Sequence, residues 1–225
     1  MKPACFALLL LFCTTFVVAA QEDIPAGYQE LASPDHPELK RISEHIRLTQ
    51  TYQADFEQQR HMAMFLDVLK STGRIYFQMP DKLRWETNNP YVSLLISNGG
   101  HVARFVEENK RLRKLDPGME EMFQQIVEEM TGIMRGDFHA LFSGYRILLS
   151  QSGTQLLLLP RSKDLQHSIA SLEFQLEKQT GRVERVIIRE PQKDYIEISF
   201  YNVKENPVLD PSVFSLQSPL APQKP

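Results

Sequence analysis

The stretch that decides the fold reads Ser71-Thr72-Gly73-Arg74-Ile75-Tyr76-Phe77, followed by Met79-Pro80-Asp81-Lys82 and then Leu83-Arg84-Trp85-Glu86-Thr87. Gly73, Ile75 and Phe77 alternate with Arg74, Tyr76 and Gln78, a period of two that puts successive side chains on opposite faces of a strand. Pro80 and Asp81 mark a turn, because proline presets the backbone and cannot donate to a ladder. The spacing therefore predicts an antiparallel hairpin. Within its second arm, Leu83 and Trp85 share one face and Arg84 the other, and parity alone leaves open which set points inward.

The same rhythm continues in both directions. Upstream, Tyr52, Ala54 and Phe56 alternate with Gln53, Asp55 and Glu57, and Leu66 and Val68 flank Asp67 as a further short strand. Downstream, Asn88-Asn89-Pro90 predicts a turn before Val92 to Ile96, Ser97-Asn98-Gly99-Gly100 predicts a hairpin before His101 to Val106, and Lys110 to Leu115 adds a short strand. A second β region covers Tyr145 to Ser150, Gln155 to Leu159, Ile169 to Glu177, Arg182 to Arg189, Tyr195 to Val203 and a short Val213 to Leu216. The total is about ten or eleven strands.

Between the two β regions the period becomes helical. Met119, Met122, Phe123, Ile126, Val127 and Met130 fall on one stripe, with Glu120, Glu121, Gln124, Gln125, Glu128 and Glu129 on the other face. Gly132 interrupts this helix; Phe138, Leu141 and Phe142 continue the apolar face beyond Arg135-Gly136-Asp137. A shorter amphipathic helix begins at Asp35, with Pro37 in its first turn and Leu39, Ile42 and Ile46 on one stripe.

A long antiparallel sheet must hide its apolar face and manage its edges, either by closing into a barrel or by curling and being covered. The helices supply cover. A curled sheet under such cover encloses a cavity unless side chains fill it. Met119, Met122, Met130 and Met134 are unbranched and polarizable, suited to repacking against a ligand of variable shape, although the same stripe also reads as ordinary core.

Composition narrows the field further. The chain has 225 residues, 25 Lys+Arg against 28 Asp+Glu, 42% hydrophobic residues, 10 Gly, 14 Pro and 2 Cys, which excludes collagen-like, disulfide-rich and wholly disordered classes. Lys2, the apolar run Phe6 to Val18 and the small residues at Ala19-Ala20 predict a signal peptide over 1–20, and so an exported product with no stable membrane insertion. Both cysteines, Cys5 and Cys13, fall inside that segment. Residues 21–34 read as a flexible lead-in, 35–218 as one domain and 219–225 as a Pro-rich tail. His36, His45, His61, His101, His139 and His167 are scattered without ligand spacing, so no metal is expected. No G-x-S-x-G turn or phosphate-cradling glycine loop occurs, so neither catalytic residues nor a cofactor are expected and the chain does not read as an enzyme. No basic stripe with interleaved aromatics is present, which argues against nucleic acid.

The order Tyr52-Gln53-Ala54-Asp55-Phe56-Glu57-Gln58, Gly73-Arg74-Ile75-Tyr76-Phe77, Pro80, Leu83-Arg84-Trp85, Asn89-Pro90 and Ser97-Asn98-Gly99 resembles the LolA family of periplasmic outer-membrane lipoprotein carriers. Gly136-Asp137, Leu141-Phe142, Tyr201-Asn202, Phe214 and Pro219 also look like family positions. The resemblance implies an α+β, mainly β fold: an open antiparallel half-barrel of about eleven strands with a helical lid over a hydrophobic cavity. It implies a periplasmic monomer that shelters the acyl chains of a lipoprotein, receives it from an inner-membrane release complex and delivers it to an outer-membrane acceptor. Residues expected at the cavity or lid are Phe56, Ile75, Phe77, Leu83, Trp85, Met119, Met122, Phe123, Ile126, Met130, Met134 and Phe138, and the family's lid-holding arginine corresponds to Arg84. Outward pairing with Glu86 is the alternative for Arg84. Val102-Ala103-Arg104-Phe105 stands where the family often has a tryptophan, the lid helix is unusually glutamate-rich, and the Pro-rich end leaves an extra C-terminal strand open. These departures keep two alternatives in view, a carrier of another lipid or polyene-type product and a periplasmic sensor or regulatory lipid-binding module.

Overall fold

Alternation becomes one continuous sheet. The computed structural model describes residues 24–115 and 131–217, and within them the strands are β1 (Tyr28–Glu30), β2 (Thr51–His61), β3 (Leu69–Gln78), β4 (Lys82–Asn89), β5 (Ser93–Asn98), β6 (His101–Glu108), β7 (Arg111–Lys114), β8 (Tyr145–Ser150), β9 (Gln155–Pro160), β10 (Ser171–Leu176), β11 (Val183–Arg189) and β12 (Tyr195–Glu205). Their order is β1-β8-β9-β10-β11-β12-β2-β3-β4-β5-β6-β7, with every neighbouring pair antiparallel. Two meanders, β2 to β7 and β8 to β12, are welded by the long β12–β2 ladder, which runs from Tyr195 opposite His61 to Glu205 opposite Tyr52. The end strands β1 and β7 do not pair with each other, so the sheet stays open, as a half-barrel.

Three helical pieces follow local capping rules. Helix α1 (Pro37–Leu48) starts with proline in its first turn, and the Glu38 backbone N–H donates to the His36 ring at 3.3 Å. In α2 (Phe138–Gly144), the Asp137 carboxylate accepts the Ala140 N–H at 3.2 Å. The short α3 (Lys163–Gln166) is capped by the Ser162 hydroxyl, which accepts the Leu165 N–H. Helices α1 and α2 bury Leu39, Ile42, Phe138 and Leu141 against Ile147, Leu149, Leu156, Leu158, Leu172 and Phe174 of β8 to β10. A second cluster joins Ala54, Ile75, Phe77 and Leu83 on β2 to β4. The third lies on the opposite face, where Phe214 fills the space over Leu94, Ile96, Ala103 and Phe105.

Two glycines are required by close approach. A Cβ on Gly73 would collide with the Glu86 carbonyl and come within 2.7 Å of the Phe56 ring, so β3 and β4 reach their register only with hydrogen at that position. Gly136 has φ +66°, and a Cβ there would lie 3.0 Å from the Ser43 Cα; the Ser43 hydroxyl donates to the Gly136 carbonyl at 2.9 Å, tying α1 to the turn before α2.

The structure departs from the sequence reading at four places. The lead-in carries β1, which pairs Tyr28 with Ser150 and so covers one edge of β8. The short strand expected around Leu66 is instead part of the β2–β3 turn, beyond the end of the paired ladder, with Met64, Phe65 and Leu66 exposed. Residues 213–216 do not form a strand: Pro211–Phe214 is a 3-10 turn whose start is capped by the Asp210 carboxylate accepting the Ser212 N–H at 2.8 Å. Helix α3 had no periodic signal because it is only one turn long. Met119, Met122, Phe123, Ile126 and Met130 of the expected lid lie outside the described residues. Among those described, no helix is long and apolar enough to cross a membrane.

Candidate functional site

The concave face of the half-barrel encloses a cavity of about 1410 Å³, well above the roughly 300–1,000 Å³ of ordinary small-ligand pockets. Strand parity explains its wall. Leu172 lies opposite Ile188 and Phe174 opposite Val186; Val186 in turn faces Ile198, Ile188 faces Ile196, and Phe200 faces Phe56 across the β12–β2 seam. Each pair holds its side chains on one face, so a band of branched and aromatic groups runs across β10, β11 and β12 and reaches β2 at Phe56, with Gln58 and Arg60 opposite Ile198 and Ile196. On the other side of the hollow stand Ile75, Phe77, Trp85 and Leu95, with Ile46 of α1 and Ile133 and Met134 above.

Of the residues singled out in the sequence, Ile75, Phe77, Trp85 and Met134 line this cavity. Phe56 and Leu83 sit on the same face but beneath the lining. Phe56 is fully buried under Trp85, ring centroids 4.4 Å apart, and Trp85 also meets the edge of Phe200 at 6.2 Å. Phe138 belongs to the helix-packed core beside the cavity. The β10 to β12 wall was missed, although its alternation was visible in Ile196-Glu197-Ile198-Ser199-Phe200; nothing local said that this face and that of Phe56 would merge.

Arg84 requires a correction. With Leu83 and Trp85 turned inward, the pleat sends Arg84 to the convex face, away from the cavity. There its Nε and Nη2 reach Glu86 Oε2 at 2.8 and 2.7 Å, both side chains almost wholly buried, and Nη1 donates to the Val213 carbonyl at 3.2 Å. The guanidinium also lies 6.0 Å from the Tyr76 ring centroid. These contacts hold the C-terminal segment, which is pinned further by Thr51 Oγ1 donating to the Pro207 carbonyl and by Asn98 Nδ2 donating to the Phe214 carbonyl. Burial pushes the Glu86 carboxyl up, opposed by the Arg84 charge, and Glu86 Oε1 has no hydrogen-bond partner. Beside it, burial alone would raise Asp55, yet bonds from Asn202 at 2.9 Å and Arg74 at 2.7 Å hold its carboxyl below the usual range.

Polar groups are interspersed in the lining, as where Gln58 stands opposite Ile198 on the β12–β2 ladder, and charged pairs mark two of its rims. At one rim, Arg60 Nη2 pairs with Glu190 Oε1 at 3.0 Å. At the α1 rim stand His45, Tyr52, Arg182 and Glu205. Among the described residues, no group of three His, Cys, Asp or Glu side chains is placed to hold a metal ion. The arrangement is suited to enclosing a long apolar molecule with a polar terminus, since most of the wall offers dispersion contacts and charged groups stand at the rims.

Comparison with known proteins agrees in extent as well as kind. The family model for outer membrane lipoprotein carrier protein LolA matches residues 47–217. An outer-membrane lipoprotein carrier protein of Pseudomonas aeruginosa is 24% identical over 213 residues, covering 93% of this chain and 95% of the relative. One from Azotobacter vinelandii is 24% identical over 218 residues, covering 95% of both chains. A solved structure of a LolA superfamily protein from Nitrosomonas europaea aligns over 79% of this chain and 96% of its own, at 9% identity and a TM-score of 0.41. The family match takes in the α1 terminus, the whole of β2 to β12 and the buried Phe214, which is to say both walls of the cavity and the segment that backs them; the chain belongs to the LolA family.

Proposed function

We propose that this protein is a periplasmic carrier that shelters the acyl chains of a lipoprotein and conveys them from the inner to the outer membrane, with membrane complexes loading and unloading it. The cavity is the observation that carries this reading: about 1410 Å³ of space walled by Ile75, Phe77, Trp85, Val186, Ile188, Ile198 and Phe200. Each methylene moved from water to such a wall gains on the order of 0.8 kcal/mol, so several long chains would be strongly held out of water, and unassisted transit would be correspondingly unfavourable. Delivery requires that the hold be reversible. A hollow lined by side chains that do not interdigitate meets that need, because cargo enters without displacing packed core. The names of the related carriers support the same role.

Native mass spectrometry of the protein taken from its own cell envelope tests the reading directly. The expected result is co-purifying acylated cargo with the wild type, lost in Ile188→Glu, a half-buried position of the wall, while the unfolding midpoint stays close to wild type. Cargo retained by that variant would count against the cavity as the binding place.

A further inference from the structure

The polar cluster at the α1 rim is not explained by burial of acyl chains alone. The β12–β2 ladder sets Glu205 opposite Tyr52, the turn entering β11 brings Arg182 beside them, and α1 lowers His45 onto the group. All four line the cavity. His45 Nε2 stands 3.5 Å from Glu205 Oε1 and makes no hydrogen bond, and Arg182 Nε is likewise buried without a hydrogen-bond partner. Both atoms are sealed by the protein itself, so what remains for a ligand at this cavity end is the Tyr52 hydroxyl, which makes no hydrogen bond, beside the charged side chains of Arg182 and Glu205. Burial also pushes the Tyr52 hydroxyl up, keeping it a proton donor at any physiological pH.

The charges here select the ligand's chemistry. Arg182 lies 3.9 Å from Glu184, and Arg182 and Glu205 both act on the Tyr52 hydroxyl, with opposite sign. One guanidinium against two carboxylates leaves no surplus positive charge for a carboxylate or phosphate head, which would be repelled by Glu205. A neutral carbonyl fits better. It can accept from Tyr52 and Arg182 without bringing a charge, and an amide N–H beside it could donate to Glu205.

We propose that His45, Tyr52, Arg182 and Glu205 seat the neutral ester or amide linkage that joins acyl chains to their cargo, with the chains running from this end along the β10–β12 wall toward Arg60 and Glu190. This rests on the carrier reading and adds a polar register to it: the cluster sets how far the chains enter.

The test titrates the purified, delipidated chain with three fluorescent probes, an NBD-labelled diacylglycerol, an NBD-labelled fatty acid and the apolar dye N-phenyl-1-naphthylamine. The wild type should prefer the diacylglycerol to the fatty acid. Tyr52→Phe and Arg182→Met should each weaken diacylglycerol binding by about tenfold, the loss expected when a hydrogen bond to a buried donor is removed, and leave the dye within about twofold. An NBD-labelled ceramide run in parallel distinguishes an amide source of the carbonyl from an ester, and sensitivity of either to Arg182→Met supports the assignment. Unchanged diacylglycerol affinity in both variants, with dye binding intact, overturns the cluster's role and leaves the carrier reading standing. Preference for the fatty acid overturns its neutral character. A wild type that binds neither dye nor diacylglycerol overturns both readings together.

Discussion

Neighbouring residues of β4 end in opposite surroundings. Trp85 looks into the cavity and Leu83 packs beneath its lining on the same face, whereas Arg84 and Glu86 are sealed beneath the C-terminal segment. The concave face of β2 to β4 leaves room beside its apolar groups; the convex face of β3 to β6 is packed tight, with Phe214 wholly buried over Leu94, Ile96, Ala103 and Phe105 and a charged network of Asp55, Arg74, Arg84 and Glu86 alongside. The difference teaches a division of labour. A sheet that leaves space on one face loses packing there, and the opposite face supplies rigidity so that the wall does not collapse into the hollow.

The comparison breaks first at Phe214. Phe214→Ala should destabilise the fold by about 3–5 kcal/mol, because the cavity it leaves lies in a well-packed layer; denaturant unfolding measures this, and a loss below about 1 kcal/mol would mean that the convex face is not the rigid one. Next, Arg84→Met strands the Glu86 carboxylate in a buried setting and should cost about 3 kcal/mol, while Arg84→Met combined with Glu86→Leu should regain most of it. Failure of the double variant to recover would show that Arg84 acts through more than its ion pair. Ile188→Ala, on the cavity wall, should cost only about 1 kcal/mol, since less packed contact is lost where the neighbour is open space; its clear effect should be on binding of an apolar dye. The smallest effect concerns pH. Asp55 has its carboxyl held below the usual 3.8, so the stability it contributes is present above pH 3.8 and is lost as pH falls through its lower folded value. Glu86 works the other way: its raised carboxyl favours the protonated fold, a contribution present below pH 4.5 and lost as pH rises through the folded value. Asp55→Asn should therefore flatten the acid limb of the stability curve below about pH 3.8, measured by unfolding at a series of pH values.

The hairpin from Ser71 to Thr87 was legible because its information is local: a period of two, a proline turn and a glycine where the strands come close. Helix α1 was legible for the same reason, from Pro37, Leu39 and Ile42. The inward set at Leu83, Arg84 and Trp85 was not, since parity is symmetric until another layer covers one face. Val213 to Leu216 looked like a strand, but Asp210 and Pro211 begin a 3-10 turn, and burial of Phe214 holds that turn in place. The α1-rim cluster was invisible for a further reason: His45, Tyr52, Arg182 and Glu205 have no spacing in common, and only the β12–β2 ladder and the docking of α1 bring them together.

The amino-acid order by itself determined the antiparallel rhythm, the helical interruption between two β regions and the family, because pleat, turn and cap are properties of a few adjacent residues. Tertiary structure decided that the sheet remains open, that the convex face takes Arg84 and Phe214, and that the polar end of the cavity is assembled from two neighbouring strands, the turn entering a third and one helix. Such decisions depend on pairing between segments far apart in the chain, where the free energy of contact is shared among many residues and no single stretch carries it.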